Sequence, residues 1–345
     1  MKKSEPSKKL KAVLIAVILL LFATYFIISF KNPHGSELII KVSNEHAEGF
    51  NNTNHMASDN PILVYEPIPN TRVQYDGYWV KLNRTTIETV NSDGFRGRDY
   101  SVDKPKGVYR IVVLGDSFTE GLGVNDNETF SYYLEQMLNA LNISGKKFEV
   151  LNLGVGGYNT LQEVERLRVK GLKYNPNLVI IAHHASDVEN ISEIEKNMNE
   201  MYNSYINGTA NITNNTFYDI LAYFRNKAFK NFYKEIENMP FDQVFENVRQ
   251  PMEDLYNLSL QENFSLMITH FPNGVYMERE QAEKLSKFSD EKGICYLDFI
   301  EAYEDKNLYS QIVAPNDAHP NPYAHEVFAD YILKKMIQCG FITTS

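Results

Sequence analysis

Two short stretches, roughly two hundred residues apart, carry the residue types that acyl chemistry needs. The first is Gly115-Asp116-Ser117-Phe118-Thr119-Glu120-Gly121, in which Ser117 follows the run Tyr109 to Leu114. That run is β-branched, aromatic or apolar except for Arg110 and stops at a glycine, which is the pattern of a buried strand entering a turn. A serine at such a strand end can present its hydroxyl to a ligand, and free N–H groups in the turn can stabilise an oxyanion. A Ser/Asp/Gly turn without chemistry reads the same way when taken alone. The second stretch is Asp317-Ala318-His319-Pro320-Asn321 in a proline-rich loop before a final helix. An attacking serine needs a base, and that base needs a carboxylate to hold its tautomer, so His319 and Asp317 are the candidate partners of Ser117.

In these blocks the chain resembles the SGNH hydrolases, also called GDSL-type esterases and lipases, over roughly residues 105 to 340. A third block, Asn152-Leu153-Gly154-Val155-Gly156-Gly157-Tyr158, is similar to the segment whose glycine N–H lines the family's oxyanion hole, and Gly157 matches that glycine. The resemblance implies a Ser117–His319–Asp317 triad, with oxyanion donors at Ser117 and Gly157 and no metal or cofactor. In one block the chain departs from the family. Where an Asn-Asp pair is usual, Leu178 to Ala182 is followed by His183-His184-Ala185-Ser186-Asp187, so Ser186 stands in place of the asparagine donor. A hydroxyl can donate, but it is shorter than an amide, and losing one oxyanion donor costs about 2.7–4 kcal/mol of transition-state stabilisation.

These residues have to be positioned by strands and helices in alternation. The strands read as Tyr109 to Leu114, Phe148 to Leu153, Leu178 to Ala182, Ser265 to His270 and Ile294 to Asp298. Helices read as Thr129 to Leu141, Leu161 to Leu172, Arg279 to Lys292 and Pro322 to Gln338. Such alternation means right-handed crossovers and a parallel sheet. The expected fold is a three-layer α/β/α sandwich, SGNH or flavodoxin-like. Residues 188–255 exceed the single helix this scheme requires. Their Asn-rich, aromatic-rich sequence suits either core packing or a lid over the site. His183 and His184 end the third strand, where packed or solvent-facing imidazoles are expected rather than metal ligands, and His270 ends the fourth, within reach of the site but with nothing nearby to support a catalytic role. His325 is the competing base, disfavoured because no acid precedes it at a suitable spacing.

The 345 residues carry a net charge of −10, which speaks against a nucleic-acid surface. Lysines at 2, 3, 8, 9 and 11 precede an uncharged apolar stretch at 12–30. That stretch suits an uncleaved transmembrane helix with residues 1–11 cytoplasmic and everything beyond 31 outside the cell membrane. Ten Asn-x-Ser/Thr sites beyond it fit an exported, possible glycoprotein domain, although an Asn-rich chain produces such matches by composition. Residues 31–60 read as a linker and 61–104 as an accessory preface, with strands at Tyr78 to Leu82 and Thr86 to Val90, ahead of the hydrolase domain at 105–345. The preface, with Tyr65-Glu66-Pro67 and Asn91-Ser92-Asp93-Gly94-Phe95-Arg96, is similar to that of envelope-associated SGNH proteins. Arg96 there either orders the site or ties the preface to the core. Two cysteines, Cys295 and Cys339, are expected as free thiols. The expectation is a membrane-anchored serine esterase, or acyltransferase, acting on O-acyl groups of extracellular glycans or on lipid esters. The alternative is a catalytically weak glycan-binding or assembly protein. Chain length of the acyl group and oligomeric state are not legible.

Overall fold

The computed structural model describes residues 38–43, 55–76, 84–188, 234, 239–272, 278–300, 312–314 and 317–343. Ahead of residue 105, β1 (Leu38–Ser43), β4 (Thr71–Asp76) and β5 (Thr85–Val90) form a three-stranded sheet, and β2 (His55–Ala57) pairs antiparallel with β3 (Tyr65–Pro67). Thr71–Asp76 was not foreseen as a strand. The expected strand at 78–82 lies outside the described residues, as do the stretch at 12–30 and most of the segment at 188–255. Among the described residues no helix is long and apolar enough to cross a membrane.

The body is built from β6 (Val108–Gly115), α1 (Ser117–Glu120), α2 (Phe130–Ala140), β7 (Lys147–Asn152), α3 (Thr160–Arg166) and β8 (Leu178–His184). It continues with α4 (Phe241–Glu262), β9 (Ser265–Phe271), α5 (Glu278–Lys292), β10 (Cys295–Asp298), the hairpin of β11 (Ile312–Ala314) and β12 (Asp317–Pro320), and α6 (Pro322–Gln338). Five strands form one parallel sheet in the order β10-β9-β8-β6-β7. Residues 241–255, read from sequence as part of an insertion, belong to α4, the ordinary crossover helix between β8 and β9.

Period-two alternation along β6 divides the core into two layers. Ile111 and Val113 join Phe130, Leu134, Phe328 and Ile332 from α2 and α6 on one face. Val112 and Leu114 join Val164, Val248, Leu255 and Leu285 from α3, α4 and α5 on the other. The sheet is therefore covered on both sides, as parallel sheets require. The exception in β6, Arg110, is fully buried and lies in register with Glu149 of β7, with Nη2 2.7 Å from its carboxylate and Nη1 donating to the Tyr174 carbonyl at 2.8 Å. Removing only one member of such a pair costs about 3–5 kcal/mol, so the arginine marks an interior edge pairing and not an exposed strand.

The order of strands across the sheet reverses at β6: the next strand, β7, lies to one side and β8 to the other. The crevice at the carboxyl ends of β6 and β8 is thus the topological switch point, where open α/β sheets hold ligands.

One expectation is corrected. Cys295 and Cys339 are joined in a disulfide, with Cα atoms 6.1 Å apart. The edge strand β10 and the C-cap of α6 come together because α6 packs back across the sheet, an approach that a sequence separation of 44 residues does not reveal. Closing a loop of that length confers about 4 kcal/mol by chain entropy. A Cys295→Ala/Cys339→Ala protein should therefore unfold at lower urea concentration than the oxidised wild type by about 2–4 kcal/mol. Equal midpoints, or free thiols detected by mass spectrometry in protein prepared without reductant, would contradict the bridge.

Candidate active site

Ser117 owes its position to three local devices. At Gly115 a Cβ would lie 2.1 Å from Thr119 Oγ1, so only glycine lets α1 fold back over the strand end. Asp116 caps α1, its carboxylate accepting the Phe118 N–H at 2.8 Å. Gly121, at φ +84°, ends the helix after one turn and donates its N–H to the Ser117 carbonyl. Ser117 is therefore the first residue of a helix whose opening N–H groups have no intrahelical partner.

The partner arrives on β12. His319 lies two residues before Asn321, which caps α6 by accepting the Ala324 N–H at 3.0 Å, and Pro322 supplies a pre-set first helical position. His319 Nε2 stands 2.8 Å from Ser117 Oγ across 202 residues of sequence. Its ring lies 5.6 Å from that of Phe118. Asp317 begins the same strand, its backbone opposite Ala314 in the hairpin. The Asp317 side chain lies outside the described residues.

The loop after β7 supplies the facing wall. Asn152 is buried and donates to the Thr119 carbonyl at 2.7 Å and to Ser131 Oγ at 2.9 Å, while its Oδ1 accepts the Gly154 N–H. A Cβ on Gly154 would sit 2.3 Å from the Glu120 nitrogen, so this loop and α1 touch backbone to backbone. Gly157 follows at φ +77°. Glu120 is buried and accepts the Gly156 N–H at 2.7 Å. Burial and the neighbouring Glu88 carboxylate push its carboxyl well above the usual range. Sequence reading passed over Glu120. Its signal was an acidic side chain in a one-turn helix next to the serine.

After β8, the Ser186 hydroxyl is 2.7 Å from His184 Nδ1, and that nitrogen is 3.3 Å from Asp116 Oδ2. The same nitrogen also accepts the Ser186 backbone N–H at 3.4 Å, so His184 holds both polar groups of Ser186 at the strand end. Asp187 accepts the His184 N–H at 2.6 Å and so supports the loop. Asp116, His184 and Asp187 place ligand atoms within 4.8 Å of one another, but they are joined by these hydrogen bonds. Arg96 resolves as a tie: its side chain is 2% exposed, 2.7 Å from Asp126 and 3.3 Å from Glu88, and it donates to the Val124 carbonyl. It joins the preface to the turn after α1.

The sequence profile of the GDSL-like Lipase/Acylhydrolase family matches residues 113–327, more than half of the chain. No curated protein matches. Among solved structures, a lipolytic protein assigned to the G-D-S-L family of Desulfitobacterium hafniense is similar at 16% identity, covering 66% of this chain and 98% of that one with a TM-score of 0.44. The psychrotrophic esterase EstA of Pseudoalteromonas is similar at 14%, covering 66% and 97%, with a TM-score of 0.43. An acetyl-xylooligosaccharide esterase of Geobacillus is similar at 13%, covering 69% and 96%, with a TM-score of 0.43.

His183, His270 and His325 are held in packing contacts. His183 Nε2 meets Gln281 Oε1 at 3.0 Å, and His270 Nδ1 meets Asp298 at 3.2 Å. His325 is fully buried, and its Nδ1 accepts the Phe130 N–H at the start of α2. Burial, chiefly, lowers its pKa to about 3, with lesser contributions from Arg96 and His319. The folded pKa thus lies below the unfolded value of about 6.5. Above pH 6.5 the residue is neutral in both states. As pH falls below 6.5 the unfolded chain takes a proton that the folded one refuses, and stability is lost down to about pH 3. His325→Gln keeps an acceptor for Phe130 but does not titrate. Between pH 7 and pH 5 the variant should lose roughly 2 kcal/mol less urea stability than the wild type. Identical losses would show that His325 is not held neutral.

Proposed function

The chain belongs to the GDSL-like lipase/acylhydrolase family, and we propose that within it the protein is a serine esterase using Ser117, His319 and Asp317. The observation that carries this reading is the 2.8 Å approach of His319 Nε2 to Ser117 Oγ. A hydroxyl at that distance from an imidazole nitrogen can pass its proton as it attacks a carbonyl carbon. The carbonyl oxygen becomes an oxyanion received by the N–H groups of Ser117 and Gly157, with the Ser186 hydroxyl as a third donor. His319 then gives the proton to the departing alkoxide, the ester C–O bond breaks, and an acyl-serine remains. Water, activated by the same imidazole, releases the acid. Asp317 holds His319 in the tautomer with its proton on Nδ1 and stabilises the imidazolium. If a sugar hydroxyl replaces water in the second half, the outcome is acyl transfer.

The proposed setting is extracytoplasmic, with the domain tethered through residues 12–30. The lysine-flanked apolar stretch supports that placement, and so does the Cys295–Cys339 bridge, since disulfides persist in oxidising compartments. The proposed substrates are O-acyl groups on extracellular glycans, or lipid esters. The Ser117–His319 contact speaks against a purely non-catalytic glycan-binding role.

A fluorophosphonate probe should label the wild-type protein stoichiometrically and fail to label Ser117→Ala. Asp317→Asn should label more slowly and lower kcat on p-nitrophenyl acetate by about 100-fold or more. Absence of wild-type labelling, or equal labelling of Ser117→Ala, would overturn the proposal.

A further inference from the structure

The accessory preface reaches the glycine loop of the catalytic face directly through Tyr65. Tyr65, on β3, is 5% exposed, and its hydroxyl donates to the Gly156 carbonyl at 2.8 Å across 91 residues of sequence. The other end of that same residue is also held, because the Gly156 N–H donates to Glu120 Oε2 at 2.7 Å. The Gly156 carbonyl and the Gly157 N–H belong to one planar peptide unit. That unit is trans, as are all peptide bonds among the described residues, so the two groups point in opposite directions. Fixing the carbonyl on Tyr65 therefore fixes where the Gly157 N–H points. A hydroxyl hydrogen-bonded to the carbonyl also polarises the amide and strengthens its N–H as a donor.

The chain accepts local strain to seat this tyrosine. Val64, immediately before it, has φ +65°, a left-handed conformation that is a genuine outlier for a β-branched residue. Such conformations persist only where surrounding structure over-determines them. Here Ser58 donates its N–H to the Val64 carbonyl, Val64 donates to Asn60, and Leu63 is fully buried with its carbonyl accepting from Gln162 Nε2. Tyr158, one residue past the glycines, packs edge-on to the Tyr65 ring at 5.2 Å and donates its hydroxyl to the Tyr65 carbonyl. Glu120 is fixed in turn by Glu88 of β5 and by the contact of α1 with Gly154. The preface thus contributes to both sides of the glycine loop, through Tyr65 directly and through Glu88 by way of Glu120.

We propose that Tyr65 and Glu120 are positioning residues that clamp the Gly156–Gly157 peptide in the orientation required of an oxyanion donor, making the preface an integral part of the esterase site. This rests on the reading of Ser117 as the nucleophile and Gly157 as an oxyanion donor. A donor held before the reaction begins needs no reorganisation as charge develops, so the clamp acts on the transition state and not on substrate affinity.

The test is steady-state hydrolysis of p-nitrophenyl acetate by full-length wild type, Tyr65→Phe, Glu120→Ala and Glu120→Gln, with rates normalised to the serine titrated by a fluorophosphonate. Normalisation removes any loss of folded protein, which a merely structural role would cause. Tyr65→Phe and Glu120→Ala should lower kcat per titrated serine about 10-fold or more while KM changes less than twofold. Glu120→Gln, which retains an oxygen for the Gly156 N–H and a donor for Glu88, should keep kcat within about threefold of wild type. If Tyr65→Phe does not fold, the Glu120 pair decides on its own. Wild-type labelling and turnover with kcat per serine unchanged in Tyr65→Phe and Glu120→Ala overturn the clamp alone. A Glu120→Gln protein as slow as Glu120→Ala overturns the part assigned to Glu120. A wild type that neither labels nor turns over overturns the clamp together with the nucleophile it serves.

Discussion

The proposed chemistry depends on one hydrogen bond, between the Ser117 hydroxyl and His319 Nε2. Neither residue is placed by its own element alone. The serine is held by the strand end, the Asp116 cap and the glycines at 115 and 121. The histidine is held by a short hairpin and by the Asn321 cap of α6. Because α6 packs against α2 on the face of the sheet that α1 leads into, the two ends of the domain converge at the switch point. The Cys295–Cys339 bridge fixes the far end of α6 to the edge strand, so the helix that directly follows the strand carrying His319 is anchored at both ends.

Around that contact the protein buries many polar groups, and several of them offset their desolvation by capping the backbone. Asn152, Asp187, Arg96, Arg110 and His325 each satisfy backbone groups that a loop or helix end would otherwise leave unbonded. This explains why so few of the histidines and acids near the strand ends are free for catalysis. His184 is the intermediate case, since it is buried and neutral yet touches Ser186 at the site's edge. Burial, then its neighbours His319 and His270, lowers its pKa to about 3, so it adds no positive charge beside His319.

The parallel sheet was legible because its strands are continuous apolar runs punctuated by glycine and followed by amphipathic helices. Arg110 interrupts the apolar run of β6, and its pairing with Glu149 could be found only through the register of β6 on β7. In the site, Ser117 and His319 were legible from residue type and neighbouring turn chemistry, and the structure brings them together. The role of Ser186 was harder to read, because a hydroxyl's partner depends on which way a strand-end histidine turns. Glu120 and Tyr65 were not legible as neighbours of the glycine loop, since their contacts cross 36 and 91 residues and leave no periodic trace. The disulfide was missed for the same reason: two cysteines have no spacing pattern until the packing of α6 is known.

The most direct test of the central claim is a crystal structure of the protein after reaction with a monoalkyl phosphonate. The account predicts phosphorus bonded to Ser117 Oγ, the His319 ring within hydrogen-bond distance of an ester oxygen, and the phosphoryl oxygen received by the Gly157 and Ser117 N–H groups. Phosphorus on another residue, or a phosphoryl oxygen turned away from the Gly157 N–H with His319 out of reach, would contradict it.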